Sequence, residues 1–488
     1  MKRQTWRKHH KWFGLCFCFF MLMFCLSGIV MNHRWLVSGL DVSRKWLPSG
    51  YRYENWSGGL LRGTIAWREA DAASKVLIYG SSGIWLTDPQ ASSITDFNAG
   101  LPEGADHRNI RRLVQMDKGD LFAAGIFGLY RYEGGWKRMD LPVAKGERLT
   151  DLAVKGDTLV VASRSFLYIS TAPYDTFEKI QLKAPYGYAG EVTLFRAVWL
   201  LHSGELFGTI GKLVVDLIAL IFIFLCLTGV LYWLMPKCVR QLRKRGKDAT
   251  PCARLTTFSF TWHNKIGKLT IVFTLFICLT GWCLRPPMMI PLVLNKVKAI
   301  PGTILNSTNA WHDKLRMISY DEAFGDWILS TSVGFYSMKS WEDVPVPLYH
   351  TPPVSVMGLN VLQKDNRGRW LCGSFSGLFI WDRVNEVSMD YVTYEMASAS
   401  GGSPFGQISV SGFSDDFNVG ACVVEYDRGT NLIPQPAELS TLPMSLWNVA
   451  LEVHTGRIYI GSLATLFFVF LAGMIAIWCL WSGWKLRR

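Results

Sequence analysis

Four histidines in this chain each precede a long apolar stretch that closes on Ser-Gly or Thr-Gly. The four stretches run over residues 10–28, 202–229, 263–281 and 454–483. From histidine to glycine the spacings are 18, 27, 18 and 29 residues, so short and long spacings alternate. This alternation indicates an internal duplication, because unrelated segments have no reason to repeat their spacing in order.

The apolar residues, half of the 488-residue chain, concentrate in four segments. These segments lie at about 12–30, 210–234, 269–284 and 458–481. Three are long enough to cross a bilayer, since about 20 apolar residues suffice, whereas the segment at 269–284 needs its flanks, Ile266 and 288–294. The first run has no small-residue cleavage site behind it, which favours a membrane helix over a cleavable signal peptide. The sequence therefore predicts a membrane protein with four transmembrane α-helices.

Basic residues indicate which ends of these helices face the cytoplasm. They cluster at three places: Lys2, Arg3, Arg7, Lys8 and Lys11; Lys237, Arg240, Arg243, Lys244, Arg245, Lys247 and Arg254; and Lys485, Arg487 and Arg488. Because basic residues stay on the cytoplasmic side, we expect a multi-pass protein of the bacterial inner membrane with both termini in the cytoplasm. The net charge of +13 is then a topology signal, and no recognisable nucleic-acid module accompanies it.

Four crossings divide the chain into two similar halves, each with a large periplasmic loop. The predicted order is the N-terminus with helix 1 (1–35), a periplasmic loop (36–195), helix 2 (196–235), a basic cytoplasmic loop (236–262), helix 3 (263–286), a second periplasmic loop (287–446), and helix 4 with the C-terminus (447–488).

The two periplasmic loops are predicted to be all-β. Short runs that read as strand, small-residue turn and strand begin at Lys75, Asp120, Thr158, Trp327 and Arg369. The runs at Asp120 and Thr158 begin 38 residues apart, and those at Trp327 and Arg369 begin 42 apart, which is the spacing of propeller blades. Unrelated hairpins are the alternative. If the runs are blades, the two loops complete one β-propeller together, because a few blades alone leave open edges.

Most of the eleven cysteines lie in or beside the apolar segments. Only Cys372 and Cys422 fall in the exterior loops, where an oxidising compartment permits a disulfide; the sequence does not decide whether they form one. No Cys-x-x-Cys-His motif occurs in the sequence, which argues against covalently attached haem.

The four repeated histidines are the candidate metal ligands. A rise of 1.5 Å per residue places His10 roughly 27 Å below Gly28 along one helix. His10 and His263 enter the membrane from the cytoplasm, whereas His202 and His454 enter from outside. Two pairs follow, His10 with His263 and His202 with His454, and each is predicted to ligate the iron of one non-covalent haem b from both sides. For any one of these histidines, a polar anchor at the membrane interface is the alternative.

Other polar residues near the pairs are candidates for supporting roles. Arg196, Lys212 and Arg457 near the outer pair, and Lys265 and Lys268 near the inner pair, are cations that haem propionates require, or that snorkel to lipid head groups. Glycines after each histidine permit close approach either of a flat macrocycle or of a neighbouring helix. These glycines are Gly14, Gly204, Gly208, Gly267, Gly456 and Gly461.

Three further residues are lower-ranked candidates. Asp216 lies inside the second apolar stretch, one turn after Lys212, so a pair with Lys212 or a proton-linked role is expected. His33 is a substitute outer ligand or a substrate-side residue and ranks behind His202. His9 adjoins His10, but the spacing of His10 to Gly14 matches that of His263 to Gly267 and favours His10.

The stretch Trp6–Gly14, together with the closing segment from Leu26 to His33, resembles the first helix of the PepSY-associated transmembrane helix family. Residues 201–208 and 262–267 resemble its second and third helices. Members include haem-bearing inner-membrane reductases that release iron from siderophores. The resemblance implies haem ligation by the four repeated histidines, but the exterior loops depart from PepSY domains.

The function these features favour is a di-haem transmembrane electron conduit. Electrons would enter from a quinol or a separate reductase and leave to a periplasmic acceptor, plausibly a ferric chelate or ferric siderophore, which would make the protein an oxidoreductase. No dinucleotide fingerprint or hydrolase motif is present in the sequence. The alternatives are a membrane-anchored propeller that senses or scaffolds without redox activity, and a transporter built from repeats.

Overall fold

The chain folds into two compact units, each assembled from separated stretches of sequence. In this computed structural model, residues 2–67, 74–144, 146–355, 357–397, 406–461 and 464–486 are described. The helical unit comprises Met1–Val37, Ala189–Ser307 and Leu446–Arg488, and the β unit comprises Ser38–Tyr188 and Thr308–Ser445. Arg487 and Arg488, which belong to the predicted cytoplasmic C-terminus, lie outside the described residues.

The helical unit contains ten α-helices in its described part. They are α1 (Arg3–Asn32), α2 (Arg34–Val37), α3 (Leu194–Ser203), α4 (Gly208–Lys244), α5 (Thr250–Leu269), α6 (Ile271–Cys283), α7 (Met289–Leu294), α8 (Leu446–Thr455), α9 (Arg457–Ile460) and α10 (Ala464–Lys485). Two short strands, β14 (Glu191–Thr193) and β15 (Lys296–Lys298), pair in front of α3.

Three helices of the described chain are long and apolar enough to cross a membrane: α1, the stretch Glu205–Lys244 that contains α4, and α10. The pair α5 and α6 passes the same test together, but it bends by 69° at Thr270, so the count is three spans, or four if the bent pair is one. Helix α6 by itself has 13 residues, which agrees with the short third segment of the sequence. The helical part of the predicted fold is thus confirmed as three to four candidate membrane helices.

The helical unit is apolar on its outside and carries small or polar residues inside. Large side chains such as Ile210, Val272 and Phe467 are 75%, 70% and 69% exposed. The buried positions include Ser27, Thr228, Thr280 and Ser482, together with Ala472 and Ala476. In lipid there is no hydrophobic penalty for exposed apolar residues, and small residues let helices approach closely. This distribution is therefore the one expected of a membrane bundle.

The β unit consists of small antiparallel sheets. Five have four strands: β2–β5 (Gly63–Trp67, Lys75–Gly80, Gly83–Thr87, Thr95–Asp96), β6–β9 (Ile110–Gln115, Leu121–Gly125, Gly128–Tyr132, Trp136–Arg138), β10–β13 (Leu149–Lys155, Thr158–Ser163, Leu167–Thr171, Glu178–Ile180), β16–β19 (Leu315–Asp321, Asp326–Thr331, Gly334–Met338, Val346–Pro347) and β20–β23 (Leu359–Lys364, Trp370–Ser374, Gly377–Asp382, Val387–Asp390). Two have two strands in the described residues: β24–β25 (Val410–Ser414, Cys422–Glu425) and β1–β26 (Asp41–Val42, Met444–Ser445).

The sheets follow one another in a circular order of contacts. The first strand of each large sheet lies against the first strand of the next, and β24 lies against both β20 and β2. Hydrogen bonds accompany these contacts: Asn360 Nδ2 donates to the Val410 carbonyl at 2.9 Å, and the Phe413 amide donates to the Arg62 carbonyl at 3.2 Å. Six clusters of buried apolar side chains lie between successive sheets of the described chain. The two predicted exterior loops therefore supply one all-β unit of many small sheets.

The disulfide considered for the exterior cysteines is not formed. Cys372 in β21 and Cys422 in β25 are both buried free thiols. Cys372 packs between the sheets that begin with β16 and β20, and Cys422 packs in the cluster that contains Trp56 and Leu60. The two side chains thus serve as small apolar core residues.

Candidate functional site

The four repeated histidines meet in two pairs within the helical unit. The ring centroids of His10 on α1 and His263 on α5 are 6.0 Å apart, with 65° between the ring planes. Those of His202 on α3 and His454 on α8 are 6.3 Å apart, with 50° between the planes. All four side chains are half-buried. These are the pairs that the depth argument predicts.

Each imidazole is hydrogen-bonded to the backbone of another helix, and in three of the four the bond runs from Nδ1 to a carbonyl. His10 Nδ1 lies 2.9 Å from the carbonyl oxygen of Cys479, His263 Nδ1 lies 3.0 Å from that of Leu225, and His454 Nδ1 lies 3.0 Å from that of Phe24. His202 is hydrogen-bonded to the backbone of Ile277. A carbonyl only accepts, so Nδ1 must carry the proton, and a neutral ring then has its lone pair on Nε2. This is the tautomer that binds a metal through Nε2.

The closing Ser/Thr of three of the four stretches takes part in the same contact. His454 Nδ1 lies 3.1 Å from Ser27 Oγ, and both His202 with Thr280 and His263 with Thr228 show the same 3.1 Å separation. In each case the hydroxyl donates back to its own helix, for example Ser27 Oγ to the Met23 carbonyl at 2.6 Å. Its oxygen is therefore left to accept from the imidazole.

The closing glycine leaves room for the imidazole ring. A Cβ added at Gly281 would lie 2.8 Å from His202 Cε1, and one at Gly483 would lie 2.8 Å from His10 Cε1. At Gly28 and Gly229 the corresponding distances, to His454 and His263, are 3.3 and 3.4 Å. Any side chain at Gly281 or Gly483 would thus collide with its histidine. We call each Ser/Thr-Gly dipeptide, with the carbonyl three residues before its hydroxyl, a histidine cradle.

The histidine cradles are reciprocal between stretches. The stretch that begins at His10 ends in the cradle for His454, and the stretch that begins at His454 ends in the cradle for His10. The stretches that begin at His202 and His263 exchange their cradles in the same way. The ring pairs join the stretches that begin at His10 and His454 to those that begin at His263 and His202. All four stretches are thus connected to one another.

The sequence placed the outer histidines at the outer ends of the long helices. In the structure each lies instead on a short helix that precedes the long one. His202 is the penultimate residue of the ten-residue helix α3, and His454 holds the same place in α8. Gly204 and Gly456 then turn the chain, with φ of 77° and 80°, before α4 and α10 begin. Glycine reaches this left-handed conformation without the steric cost that a Cβ brings. This extra turn explains why the two outer spacings are longer.

The paired imidazoles fit the axial ligation of a haem iron. With a metal–nitrogen distance of about 2 Å and the nitrogen about 1 Å from its ring centre, two imidazoles on opposite sides of one metal have centroids about 6 Å apart. The two observed separations, 6.0 and 6.3 Å, agree with this value. Among the described residues, no group of three or more His, Cys, Asp or Glu forms a metal site by itself.

The arginines and lysines that the sequence predicted as partners of haem propionates differ in their surroundings. Arg457 forms an ion pair with Glu452, with Nε 2.9 Å from Oε2, and Arg285 lies close enough to both for electrostatic interaction. Arg196 lies over the Trp199 ring at 5.4 Å, and Lys265 lies over the Trp262 ring at 4.9 Å. Arg285 also interacts electrostatically with His454. Arg285 was missed from the sequence, where only its position just after the third apolar segment could have suggested it.

Asp216 pairs with His33 and not with Lys212, the partner that the sequence predicted. Asp216 Oδ2 lies 2.7 Å from His33 Nε2, and Asn32 Nδ2 donates to Asp216 Oδ1 at 3.2 Å. Lys212 instead lies 3.4 Å from Glu205. The end of α1 lies beside α4 at this level and supplies closer partners than the preceding turn of α4 itself. His33 is therefore engaged by a carboxylate.

His9 lies among aromatic rings and not beside His263. Its ring centroid is 5.9 Å from that of Trp478, 6.0 Å from that of Phe13 and 6.3 Å from that of Trp6. Its Nδ1 is buried and has no hydrogen-bond partner among the described atoms. The structure therefore separates the two adjacent histidines into different environments.

The β unit has its own concentration of buried charge. Asp151 on β10 is 1% exposed, accepts a hydrogen bond from the Ile318 amide at 2.9 Å and lies near Arg112 on β6. Burial raises the pKa of Asp151 to about 6, because a carboxylate loses hydration, and the positive charge of Arg112 opposes that shift. These groups lie on the first strands of their sheets, where the sheets approach one another.

Comparison with known proteins places part of the chain in a family. A model described as the PepSY-associated TM region matches residues 1–236, in agreement with the resemblance that the sequence shows in this part of the chain. This match includes His10 and His202, whereas His263 and His454 lie beyond it. No curated protein matches the chain.

Two solved structures, both extracellular domains from B. thetaiotaomicron, show a weak likeness. One protein is described as a one component system and has 9% identity, a TM-score of 0.36 and coverage of 79% of this chain and 44% of its own. The other is described as a hybrid two component system and has 10% identity, a TM-score of 0.23 and coverage of 77% and 47%. The chain thus aligns with less than half of each solved structure.

Proposed function

We propose that this chain, whose residues 1–236 match the PepSY-associated TM region, is a transmembrane electron conduit with two bis-histidine haem b groups. It takes electrons from a quinol or a separate reductase and passes them to an acceptor on the opposite face, for which we propose a ferric chelate or ferric siderophore. The chain belongs to the oxidoreductases in this proposal. The observation that carries it is the meeting of four distant histidines in two pairs.

The protein's own groups prepare each pair for iron. Carbonyls of neighbouring helices accept the Nδ1 protons and leave Nε2 available as the ligand. The closing glycines let the imidazoles lie directly against a helix backbone, which fixes the orientation of the rings. His10 with His263 and His202 with His454 would each hold one haem, and a haem held by two imidazoles would supply one-electron transfer rather than oxygen activation.

The candidate partners of the propionates lie near the outer pair. Arg285 and Arg457 are close together, and one carboxylate, Glu452, offsets part of their charge. Two clustered cations attract carboxylates in a medium that does not hydrate them well. We assign propionate binding at the outer pair to Arg285 and Arg457, with Arg196 as a further candidate.

The orientation we propose follows the basic residues, with both termini and the connection between α4 and α5 in the cytoplasm of an inner-membrane protein. Reporter fusions after Arg245 are then expected to report cytoplasm, and fusions near Gly134 and Gly373 to report periplasm. A periplasmic signal after Arg245 would contradict this orientation.

We also propose that the six sheets that follow one another in the β unit are the blades of a β-propeller. The support is the circular order of contacts between their first strands, together with one apolar cluster between each two successive sheets. The choice of acceptor is assigned to this unit, because it is built from the two stretches that the orientation places outside.

The experiment is an absorption spectrum of the purified, membrane-extracted protein, followed by a haem assay. Two low-spin haem b groups per chain are expected.

The reduced protein in vesicles should then be reoxidised by a ferric chelate supplied on the side of the β unit. Prompt oxidation by a thiol or quinone carrier but not by ferric chelates would preserve the conduit and remove the iron-reductase assignment. Absence of a Soret band would remove the conduit and favour the sensor or scaffold.

A further inference from the structure

Two cysteines outside the histidine site face each other at the connection between α4 and α5. The sulfur atoms of Cys238 and Cys252 are 3.1 Å apart. That is about 1 Å longer than a disulfide bond of about 2.05 Å, so only a small movement separates the two thiols from bonding distance. Cys238 lies on the last two turns of α4, and Cys252 lies in the first turn of α5.

The packing of the helices holds the two thiols together. Helices α4 and α5 lie against each other along their length, so the sulfur atoms approach through helix packing and not only through the short turn between them. Both cysteines are half-exposed, whereas Cys18, Cys25, Cys372 and Cys422 are buried. Small molecules in solution can therefore reach Cys238 and Cys252, which buried thiols do not allow.

A basic cleft lies at the same connection between α4 and α5, and its lining includes Ala253, the residue that follows Cys252. It has a volume of about 620 Å³ and is lined by Arg243, Lys247, Arg254, Asp248, Thr250 and Phe258, among others. Three cations and one carboxylate give the cleft a positive balance. Cations attract anionic small molecules, so the cleft favours their binding at this connection.

We propose that Cys238 and Cys252 form a thiol–disulfide exchange site for a small anionic disulfide. One cysteine thiolate attacks the S–S bond of the small disulfide, forms a mixed disulfide and releases one small thiolate. The second cysteine thiolate attacks the protein sulfur of that mixed disulfide, forms the Cys238–Cys252 bond and releases the second small thiolate. The two protein thiols lose two electrons and two protons, and the small disulfide gains both as two thiols.

The bond would join the end of α4 to the helix that carries His263. Because the site rests on the sulfur–sulfur distance and the adjoining cleft, it is independent of haem binding. Cytoplasmic disulfides of this kind are usually transient and redox-sensing.

The test exposes the reduced, detergent-solubilised full chain to oxidised glutathione, which is anionic, or to 2-hydroxyethyl disulfide, which is neutral. Digestion without reduction, followed by mass spectrometry, is expected to recover a peptide cross-linked between Cys238 and Cys252. Cys238→Ser should leave a mixed disulfide on Cys252. Cys16→Ser is the control, because Cys16 lies on another helix, within the candidate membrane span α1, and its removal should leave the cross-link unchanged.

A second variant tests the role of the cleft. The double change Arg243→Gln and Arg254→Gln should slow cross-linking by oxidised glutathione at low salt at least several-fold and leave the rate with the neutral disulfide unchanged. Equal slowing with both reagents, or none, would overturn the anion preference. If no cross-link between Cys238 and Cys252 forms with either reagent, the exchange site itself is overturned.

Discussion

The inner and outer histidine pairs have nearly the same ring separation but are built from different local structure. His10 and His263 lie within the long helices α1 and α5. His202 and His454 each lie one residue from the end of a ten-residue helix, before a left-handed glycine. The inner pair is therefore positioned by continuous helices, whereas the outer pair depends on how two short helices are turned onto the bundle.

The two pairs therefore share the histidine cradle and differ in the kind of helix that carries the histidine. In both pairs, Nδ1 donates to a carbonyl of another helix, and a glycine from that helix lies beside Cε1. Each pair also has one tight cradle, at 2.8 Å, and one looser cradle, at 3.3 or 3.4 Å. Substitutions can therefore be chosen that act on both pairs, on one pair or on one histidine.

Removal of a ligand should have the largest effect. His202→Ala or His454→Ala should abolish the outer haem and retain the inner one, and either change should be nearly as damaging as both together, because one imidazole cannot complete the axial coordination. His10→Ala or His263→Ala should do the reverse. Haem-to-protein ratios and low-spin spectra measure the outcome.

Two histidines serve as controls for this first prediction. His9→Ala tests a neighbour of His10 that packs among aromatic rings, and His350→Ala tests an exposed histidine of the β unit. Both variants should keep two haems. A full haem complement in His202→Ala would refute the outer pair and promote His33.

The tight cradles should be the next most sensitive positions. Gly281→Ala and Gly483→Ala place a Cβ 2.8 Å from His202 and His10, so the imidazole or the helix must shift. We expect about 10- to 100-fold weaker haem binding at the affected pair, the usual cost of disturbing the support of a metal ligand. The matched variants Gly28→Ala and Gly229→Ala, at the looser cradles, should lose less. Haem titration measures both, and equal losses at all four glycines would contradict the distinction.

The turn after the outer histidine should matter only for the outer pair. Gly456→Ala forces a Cβ into φ of 80° and within 3.0 Å of Phe468 and Thr465. A left-handed non-glycine residue costs roughly 1–2 kcal/mol, so outer haem affinity should fall about ten-fold while the inner haem is unchanged. Gly246→Ala is the control. Gly246 also has a positive φ, of 66°, but it has open space around it and follows the C-terminal end of α4, far along the chain from the outer histidines. Equal loss of both haems in Gly456→Ala would show a general loss of stability instead.

The smallest effect should come from the hydroxyl of a cradle. Thr280→Val keeps the shape of the side chain and removes the oxygen that lies 3.1 Å from His202 Nδ1, while the backbone carbonyl remains as an acceptor. A hydrogen bond of this kind contributes about 0.5–1.5 kcal/mol, so we expect a loss of outer haem affinity of about 2- to 13-fold. Thr274→Val, a buried threonine on the same helix that bonds only to its own turn, should leave both haems unchanged.

The sequence indicated which residues repeat but not which of them touch. The His-to-Gly spacing suggested the duplication, and the depth argument gave the partners of His10 and His202. The closing Ser/Thr-Gly was visible from the start, yet its role was not, because the cradle for each histidine lies on a different stretch of the chain. The partner of Asp216 was missed for the same reason, since His33 is 183 residues away.

In the β unit, the hairpins could be predicted from the sequence, because the two strands and the tight turn between them are contiguous along the chain. The circular order of the sheets could not, because the contact of β24 with β2 joins residues that are more than 340 positions apart. No local pattern encodes such a closure, which depends on how side chains of all the sheets pack together.

The sequence by itself determined the apolar segments, the family of the first half, the repeated histidines and the basic ends, because each is a property of composition or short spacing. Only the tertiary structure decided the cradles, the helix break at Thr270, the pairing of His33 with Asp216 and the approach of Cys238 to Cys252. These features depend on distances between helices, and helix–helix distances follow from the packing of small residues in three dimensions, not from the order of residues along one chain.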